Sequence, residues 1–185
     1  MRLSEIRLDR LRIHAYPDPV LRKACAEITE FGPPLEALAG RMLELMREDR
    51  GVGLAGPQVG LLVRIFVCNA TGDPKDDMVC VNPRLSDFEG GAELEEGCLS
   101  LPDVTVPVRR PEAVTIAAMG ADGRPFTRRS NDLWARVWQH ETDHLDARMI
   151  IDYMSTESAL ANQRVLKQLE QEYRRRTKRK PAGRQ

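Results

Sequence analysis

The chain has 185 residues, and its 28 lysine and arginine residues balance 28 aspartate and glutamate residues, so the formal net charge is zero. This length is typical of one globular domain with a sizeable core, and an apolar content of 42% argues against wholesale disorder. No apolar run approaches the roughly 20 residues that a membrane-spanning helix needs, which argues against an integral membrane protein.

The predicted elements are a helix, several short strands and two further helices. Apolar residues recur at helical spacing in three segments, which predict helices at residues 34–49, 131–146 and 157–175. A glycine-rich loop, residues 51–60, follows the first helix. Apolar, β-branched runs predict strands at residues 61–68, 78–81, 104–108 and 114–118, with a turn at 120–123. This order favours an α+β fold, in which antiparallel sheets pack around the second helix, with one N-terminal and one C-terminal helix.

The neutral total conceals an uneven distribution of charge. Residues 173–185 hold seven basic residues and no acidic one, so this tail carries +7 and residues 1–172 carry −7. We therefore predict a single domain over residues 1–172 and a basic, flexible tail over residues 173–185. Such a tail is either a solvated terminus or a contact for the phosphates of RNA.

Cysteine usage and the N-terminal segment indicate the compartment. The four cysteines are widely spaced with no CxxC pair, and the first residues lack the apolar region of a secretory signal. Free thiols in a reducing environment are then expected rather than disulfides. We predict a cytoplasmic protein.

The strongest chemical signal is the run His140-Glu141-Thr142-Asp143-His144, inside the second predicted helix. Residues four apart lie about 40° from each other around an α-helix, so both imidazoles project from one face. This geometry suits two ligands of one metal ion, with Glu141 placed to accept a proton from water. The alternative is that both histidines are ordinary surface residues.

A catalytic metal site of this kind usually has three protein ligands. The residues offer two kinds of third ligand: a downstream carboxylate, Asp146 or Asp152, or the upstream thiol of Cys98. A cysteine alone is more often a buried small hydrophobe, but its thiolate binds soft divalent metals well. A carboxylate ligand would instead favour a general metallopeptidase.

Three segments, in chain order, resemble the signature motifs of the peptide deformylase family. They are GVGLAGPQ at residues 51–58, EGCLS at residues 96–100 and QHETDHL at residues 139–145. The segments YPDPVLR at residues 16–22 and VNP at residues 81–83 are also similar to that family, so the likeness covers residues 13–155. The resemblance implies an enzyme that removes the N-formyl group from the formylmethionine of new polypeptides and releases formate.

The resemblance also implies roles for individual residues. The ligands of one divalent metal ion, typically Fe²⁺ with Zn²⁺ or Ni²⁺ as alternatives, would be Cys98, His140 and His144. Glu141 would act as general acid and base, while the Gln58 side chain and the Leu99 backbone N–H would bind the formyl oxygen. Because family members are similar in using a C-terminal extension near the ribosome, we predict that the basic tail contacts ribosomal RNA.

The same resemblance implies an apolar pocket for the methionine side chain. The residues expected to face or flank the substrate are Val52, Gly53, Glu96, Gly97, Leu133 and Val137. For Leu133 and Val137 the alternative is plain core packing, and for Glu96 it is a salt bridge. Arg136 departs from the family pattern, since an apolar residue is common there. Its charge could narrow the pocket, change the field near the metal or extend to solvent.

A third hypothesis, beside a deformylase and a general metallopeptidase, is a nucleic-acid-binding protein with an inactive deformylase-like body. That hypothesis predicts a missing ligand or a missing general base. Neither is missing here, since Cys98, His140, Glu141 and His144 are all present. The sequence therefore favours an active deformylase.

Overall fold

The structure is a computed structural model that describes residues 3–178, and it has the predicted α+β architecture. The helices are α1 (Pro33–Glu48), α2 (Leu133–Leu145) and α3 (Thr156–Lys178). The strands are β1 (Gly53–Ala55), β2 (Ile65–Cys68), β3 (Met78–Glu89), β4 (Ala92–Cys98), β5 (Leu101–Arg110), β6 (Ala113–Met119) and β7 (Pro125–Ser130). All pairings are antiparallel, in a five-stranded sheet of order β1-β2-β3-β6-β7 and a two-stranded β4–β5 hairpin.

Helix α2 lies between the two sheets, as predicted. One side packs on the five-stranded sheet, where Val137 and Trp138 join a buried cluster with Phe66 of β2 and Ile116 of β6. The helix begins where the Asp132 carboxylate accepts a hydrogen bond from the Trp134 backbone N–H at 2.9 Å, which satisfies a free donor of the first turn. Another side of α2 faces the β4–β5 hairpin and carries two of the predicted metal ligands, His140 and His144.

The two outer helices cover the remaining apolar surfaces. Leu38 and Met42 of α1 are fully buried against β1 and β2, and Leu169 of α3 is buried against β5. Among the described residues, no helix combines the length and the apolar character needed to cross a lipid bilayer.

The glycine-rich loop and the strands differ in part from the predictions. Residues 51–60 contain β1 and a short 3-10 turn, because their backbone pairs with β2. Strand β2 begins at Ile65 rather than at residue 61, since Val63 leaves the sheet and forms a bridge with Ala26. Strand β3 continues well past Val81 through polar residues, with two register shifts against β6. Strand β4 was not predicted, because four of its seven residues are exposed and three are acidic.

The C-terminal ends of α2 and α3 each have a feature that bears on the predictions. Ala147, just after α2, has a φ of 62°, a left-handed conformation that glycine adopts at lower cost. Helix α3 continues to Lys178, so the first six residues of the predicted tail are helical. The remainder of that tail, residues 179–185, lies outside the described residues.

Candidate metal centre

Three side chains from two elements converge beside α2. The His140 and His144 rings project from the same face of the helix, with centroids 5.0 Å apart. Cys98 ends β4, where the pairing with β5 shifts register, and its Sγ lies 3.3 Å from His144 Nε2. One ligand atom from each of these residues lies within 4.8 Å of the others, so the three could hold one metal ion.

The downstream carboxylates considered as a third ligand are engaged elsewhere. Asp146 accepts a hydrogen bond from Arg64 at 2.7 Å, and Asp152 accepts one from Arg22 at 2.8 Å. The site therefore offers one thiol and two imidazoles, a donor set that suits soft or borderline divalent metals.

Two buried polar atoms at this site have no hydrogen-bond partner within the described chain, namely His144 Nδ1 and Glu141 Oε2. Burial raises the pKa of Glu141 to about 7, since the charged form loses its hydration. Gly53 of β1 lies directly against this carboxylate, and a methyl group added at Gly53 would overlap it. Glu141 is thus held next to the cluster of donors and remains free to take part in chemistry.

Glu96 lies on the other side of His140 and is fully engaged. Its carboxylate accepts bonds from Arg110 Nε at 2.6 Å, Arg110 Nη2 at 2.9 Å, Arg136 Nη1 at 2.6 Å and His140 Nδ1 at 2.9 Å. Burial alone would raise its pKa, but the hydrogen bonds from His140 and Arg110 lower it to about 2. The bond to Nδ1 fixes the His140 ring and leaves Nε2 to face the cluster.

The ion-pair network continues behind α2. Arg110 donates to Asp143 at 2.8 Å, and the Tyr153 hydroxyl donates to the same carboxylate at 2.8 Å. The Arg110 guanidinium also lies over the Tyr153 ring, 5.3 Å from its centroid. These contacts connect β5, α2 and the segment after α2 around one buried cation.

Gln58 is buried in the 3-10 turn that follows β1. Its Oε1 accepts the Ala55 backbone N–H at 2.8 Å, while its Nε2 lies 3.2 Å from Ser100 Oγ and 3.5 Å from Cys98 Sγ. Because these contacts fix which end of the amide is the donor, Nε2 is directed toward the Cys98 side of the site.

A cleft of about 470 Å³ opens over this cluster. It is lined by eleven of the twelve predicted site residues: Val52, Gly53, Gln58, Glu96, Gly97, Cys98, Leu99, Leu133, Val137, His140 and Glu141. The remaining one, His144, is buried beneath it. Val52 and Leu133 are about half exposed in the cleft, whereas Val137 is buried.

The positions of two charged residues bear on the alternatives given for them. Glu96 forms the salt bridges that were one alternative for it. Arg136 lines the cleft with a side chain only 11% exposed, so it does not extend to solvent.

Sequence reasoning missed Arg110 and Asp143, although one signal was available. The residues of β5 alternate between buried and exposed, with Val104, Val106 and Val108 buried, and Arg110 falls in the same buried phase. A cation in that phase needs a buried anion, and Glu96 on the paired strand supplies one.

A family model described as polypeptide deformylase matches residues 10–159, most of the chain. The chain belongs to the peptide deformylase family. This deformylase is 43% identical over 138 residues to the peptide deformylase of Acidobacterium capsulatum, which covers 74% of this chain and 81% of that protein. It is 38% identical over 161 residues to that of Alkalilimnicola ehrlichii, covering 86% and 89%.

Solved structures agree with this assignment. The crystal structure of Arabidopsis thaliana peptide deformylase 1B in complex with an inhibitor superposes with a TM-score of 0.86 at 34% identity. The match covers 94% of this chain and 98% of that chain. The predictions of family, fold class and enzyme are confirmed: the deformylase removes the N-formyl group from the N-terminal formylmethionine of new polypeptides.

Proposed function

We propose that the deformylase acts through one Fe²⁺ ion held by Cys98, His140 and His144. The observation that carries this proposal is the convergence of their ligand atoms within 4.8 Å beside the unpartnered Glu141 carboxylate. The family resemblance implies iron, and the same thiolate and imidazole donors also suit Zn²⁺ and Ni²⁺. When bound, the metal supplies Lewis-acid chemistry that makes water a better nucleophile near neutral pH.

Glu141 moves the proton in this proposal. Its carboxylate accepts a proton from the attacking water and returns it to the departing amine, so formate and a free N-terminus result. Burial and the raised pKa, about 7, support this role, because the group can hold and release a proton near neutral pH.

Gln58 and Leu99 orient the formyl oxygen in this proposal. The Gln58 Nε2 group and the Leu99 backbone N–H are neutral donors, and both residues line the cleft. Such donors stabilise negative charge that develops on the oxygen during attack. The contact between Gln58 Oε1 and the Ala55 backbone N–H holds the amide in this orientation.

The methionine side chain occupies the part of the cleft between α2 and the β4–β5 hairpin. Val52, Leu133 and Val137 supply its apolar surface. The backbone of Gly53 and of Glu96–Gly97 pairs with the extended substrate as an added strand.

Formate release from a formyl-Met-Ala-Ala peptide tests the proposal, with protein purified without oxygen and loaded with Fe²⁺. We expect wild-type activity, none with Cys98→Ala, and no cleavage of the unformylated peptide. Glu95→Gln is the matched control, because Glu95 lines the same cleft but is exposed and forms no part of the cluster. No formate from folded, metal-loaded wild-type protein contradicts the proposal, and peptide-bond cleavage would favour a general metallopeptidase.

We further propose that residues 1–172 form the catalytic domain and that the tail at residues 173–185 binds ribosomal RNA in the cytoplasm. Support comes from Arg174, Arg175, Arg176 and Lys178, which are exposed on the last turns of α3. Contacts of this kind with phosphates weaken steeply as salt rises.

Co-sedimentation with ribosomes at low and high salt tests the tail. Deletion of residues 173–185 should abolish low-salt binding without loss of formate release. The matched control, Arg164→Gln with Lys167→Gln, removes two cations from the middle of α3 and keeps the tail. Unchanged co-sedimentation after the deletion would rule out a role for the tail.

A further inference from the structure

An arginine lies within the face of α2 that lines the cleft. Leu133, Arg136, Val137 and His140 follow the helical spacing of three and four residues, and all four line the cleft. Arg136 is the cation of this set. Its position places a permanent charge one turn before His140, in the region where the methionine side chain is proposed to lie.

The Arg136 guanidinium is fixed in the wall between α2 and the β4–β5 hairpin. Its Nη1 donates to Glu96 Oε1 at 2.6 Å and to the Val108 carbonyl at 3.1 Å, and its Nη2 donates to the Ala92 carbonyl at 2.9 Å. Within the described residues, Nε takes no part in these hydrogen bonds. The side chain cannot leave this wall without breaking all three contacts.

This wall has a chemistry that differs from the rest of the pocket. Val52 and Leu133 line the cleft with apolar side chains, whereas Arg136 lines it with a cation whose Nε–H makes no hydrogen bond within the described residues. A purely apolar pocket disfavours a polar side chain, because the buried group would lose its hydrogen bonds to water. A donor in the wall removes that penalty for a side chain that ends in an acceptor.

We propose that Arg136 is a specificity-determining residue that favours a first side chain carrying a hydrogen-bond acceptor near its end. The thioether of methionine is a weak acceptor, and the oxygen of methionine sulfoxide is a strong one. The deformylase therefore accepts N-formyl-methionine-sulfoxide peptides, whereas norleucine, which has no acceptor, gains nothing from Arg136. This inference rests on the proposed location of the methionine side chain.

The test compares three peptides within each protein variant, so that general damage cancels. The value of kcat/KM is measured for formyl-Met-Ala-Ala, for its methionine sulfoxide form and for its norleucine form, with wild type and Arg136→Leu. We expect the sulfoxide-to-norleucine ratio to fall about 10- to 100-fold in Arg136→Leu, the range expected for a hydrogen bond to a charged group. Glu95→Gln is the matched control, because Glu95 lines the same cleft but is exposed and lies outside the proposed pocket, and its ratio should stay near that of wild type.

A second pair of variants covers the case in which Arg136→Leu does not fold. Arg136→Lys keeps a cation and a donor, and Arg136→Gln keeps a neutral donor. Both should therefore retain part of the sulfoxide preference, and the lysine variant should retain more of it.

A separate measurement does not depend on metal. Calorimetry with metal-free protein should show tighter binding of the sulfoxide product peptide than of the norleucine product peptide. Arg136→Leu should remove this difference.

The outcomes separate this inference from the proposed function. If wild type gives no formate from the formyl-methionine peptide, the proposed function is wrong. If wild type is active but Arg136→Leu keeps the wild-type ratio, or, where that variant does not fold, Arg136→Gln keeps it in full, then Arg136 does not set specificity. Rejection of the sulfoxide peptide by wild type, relative to norleucine, would overturn the inference as well.

Discussion

Two buried glutamates face the same cleft in opposite environments. Glu96 accepts hydrogen bonds from Arg110, Arg136 and His140, and its pKa falls to about 2. Glu141 has an oxygen with no partner in the described chain, and its pKa rises to about 7. The two carboxyl groups are chemically identical, so the surrounding donors make one a fixed anion and let the other exchange a proton.

The change with the largest expected effect removes the carboxylate that is proposed to carry the proton. Glu141→Gln keeps the shape of the side chain but cannot accept a proton, so kcat should fall about 100- to 10,000-fold. The melting temperature should change little, because Glu141 Oε2 makes no hydrogen bond that the amide would lose. Formate release, metal content and a thermal melt check this. A kcat within about tenfold of wild type would remove Glu141 from the chemistry.

The corresponding substitution at Glu96 should mainly lower the stability of the fold. Glu96→Gln leaves the buried Arg110 and Arg136 guanidiniums short of compensating charge, so the free energy of unfolding should fall by about 3 kcal/mol. Urea denaturation measures it, with Glu95→Gln as the neighbouring exposed control. A loss for Glu96→Gln as small as that of the control would show that the network contributes little to folding.

Removing the metal should lower the stability of wild type more than that of a variant that lacks a proposed ligand. A chelator should lower the free energy of unfolding by about 3 kcal/mol when the metal was present at a few hundred times its dissociation constant. Cys98→Ala, which lacks one proposed ligand, should show a much smaller chelator effect. Thermal melts with and without chelator compare the two proteins. Equal shifts in both would indicate that the metal binds elsewhere.

The smallest expected effect tests the outer end of the Glu96 network. Tyr153→Phe removes the hydroxyl that donates to Asp143 at 2.8 Å, while Arg110 still donates to the same carboxylate. The free energy of unfolding should fall by about 1 kcal/mol, the usual contribution of one hydrogen bond. Urea denaturation checks it. A loss as large as that of Glu96→Gln would mean that the hydroxyl holds the whole network together.

The surroundings of the two glutamates also differ in how far the sequence could predict them. His140, Glu141 and His144 lie within one turn of one helix, so their convergence follows from helical geometry alone. Cys98 was found through its motif, since no local rule brings β4 to α2. The environment of Glu96 depends on Arg110, from the paired strand β5, and on Arg136, from helix α2. Contacts between residues so far apart in sequence leave only a weak pattern, such as the buried phase of β5.

The strands, too, were predicted where their own composition favours a strand and missed where the pairing depends on a distant partner. Buried runs such as β2 were predicted because apolar β-branched residues favour strands. Strand β4 carries exposed Glu93 and Glu95, and its pairing depends on β5 rather than on its own composition. Residues 61–64 are apolar enough for a strand, yet the bridge between Val63 and Ala26 takes them out of the sheet.

Gly53 connects the pairing of β1 with β2 to the position of the Glu141 carboxylate. Its backbone pairs with Cys68 across β1 and β2, and its missing side chain is the space that the Glu141 carboxylate fills. A side chain at this position would have to displace either the strand or the Glu141 carboxylate. We therefore expect the chain to tolerate substitutions of the residues around Gly53 more readily than substitution of Gly53 itself.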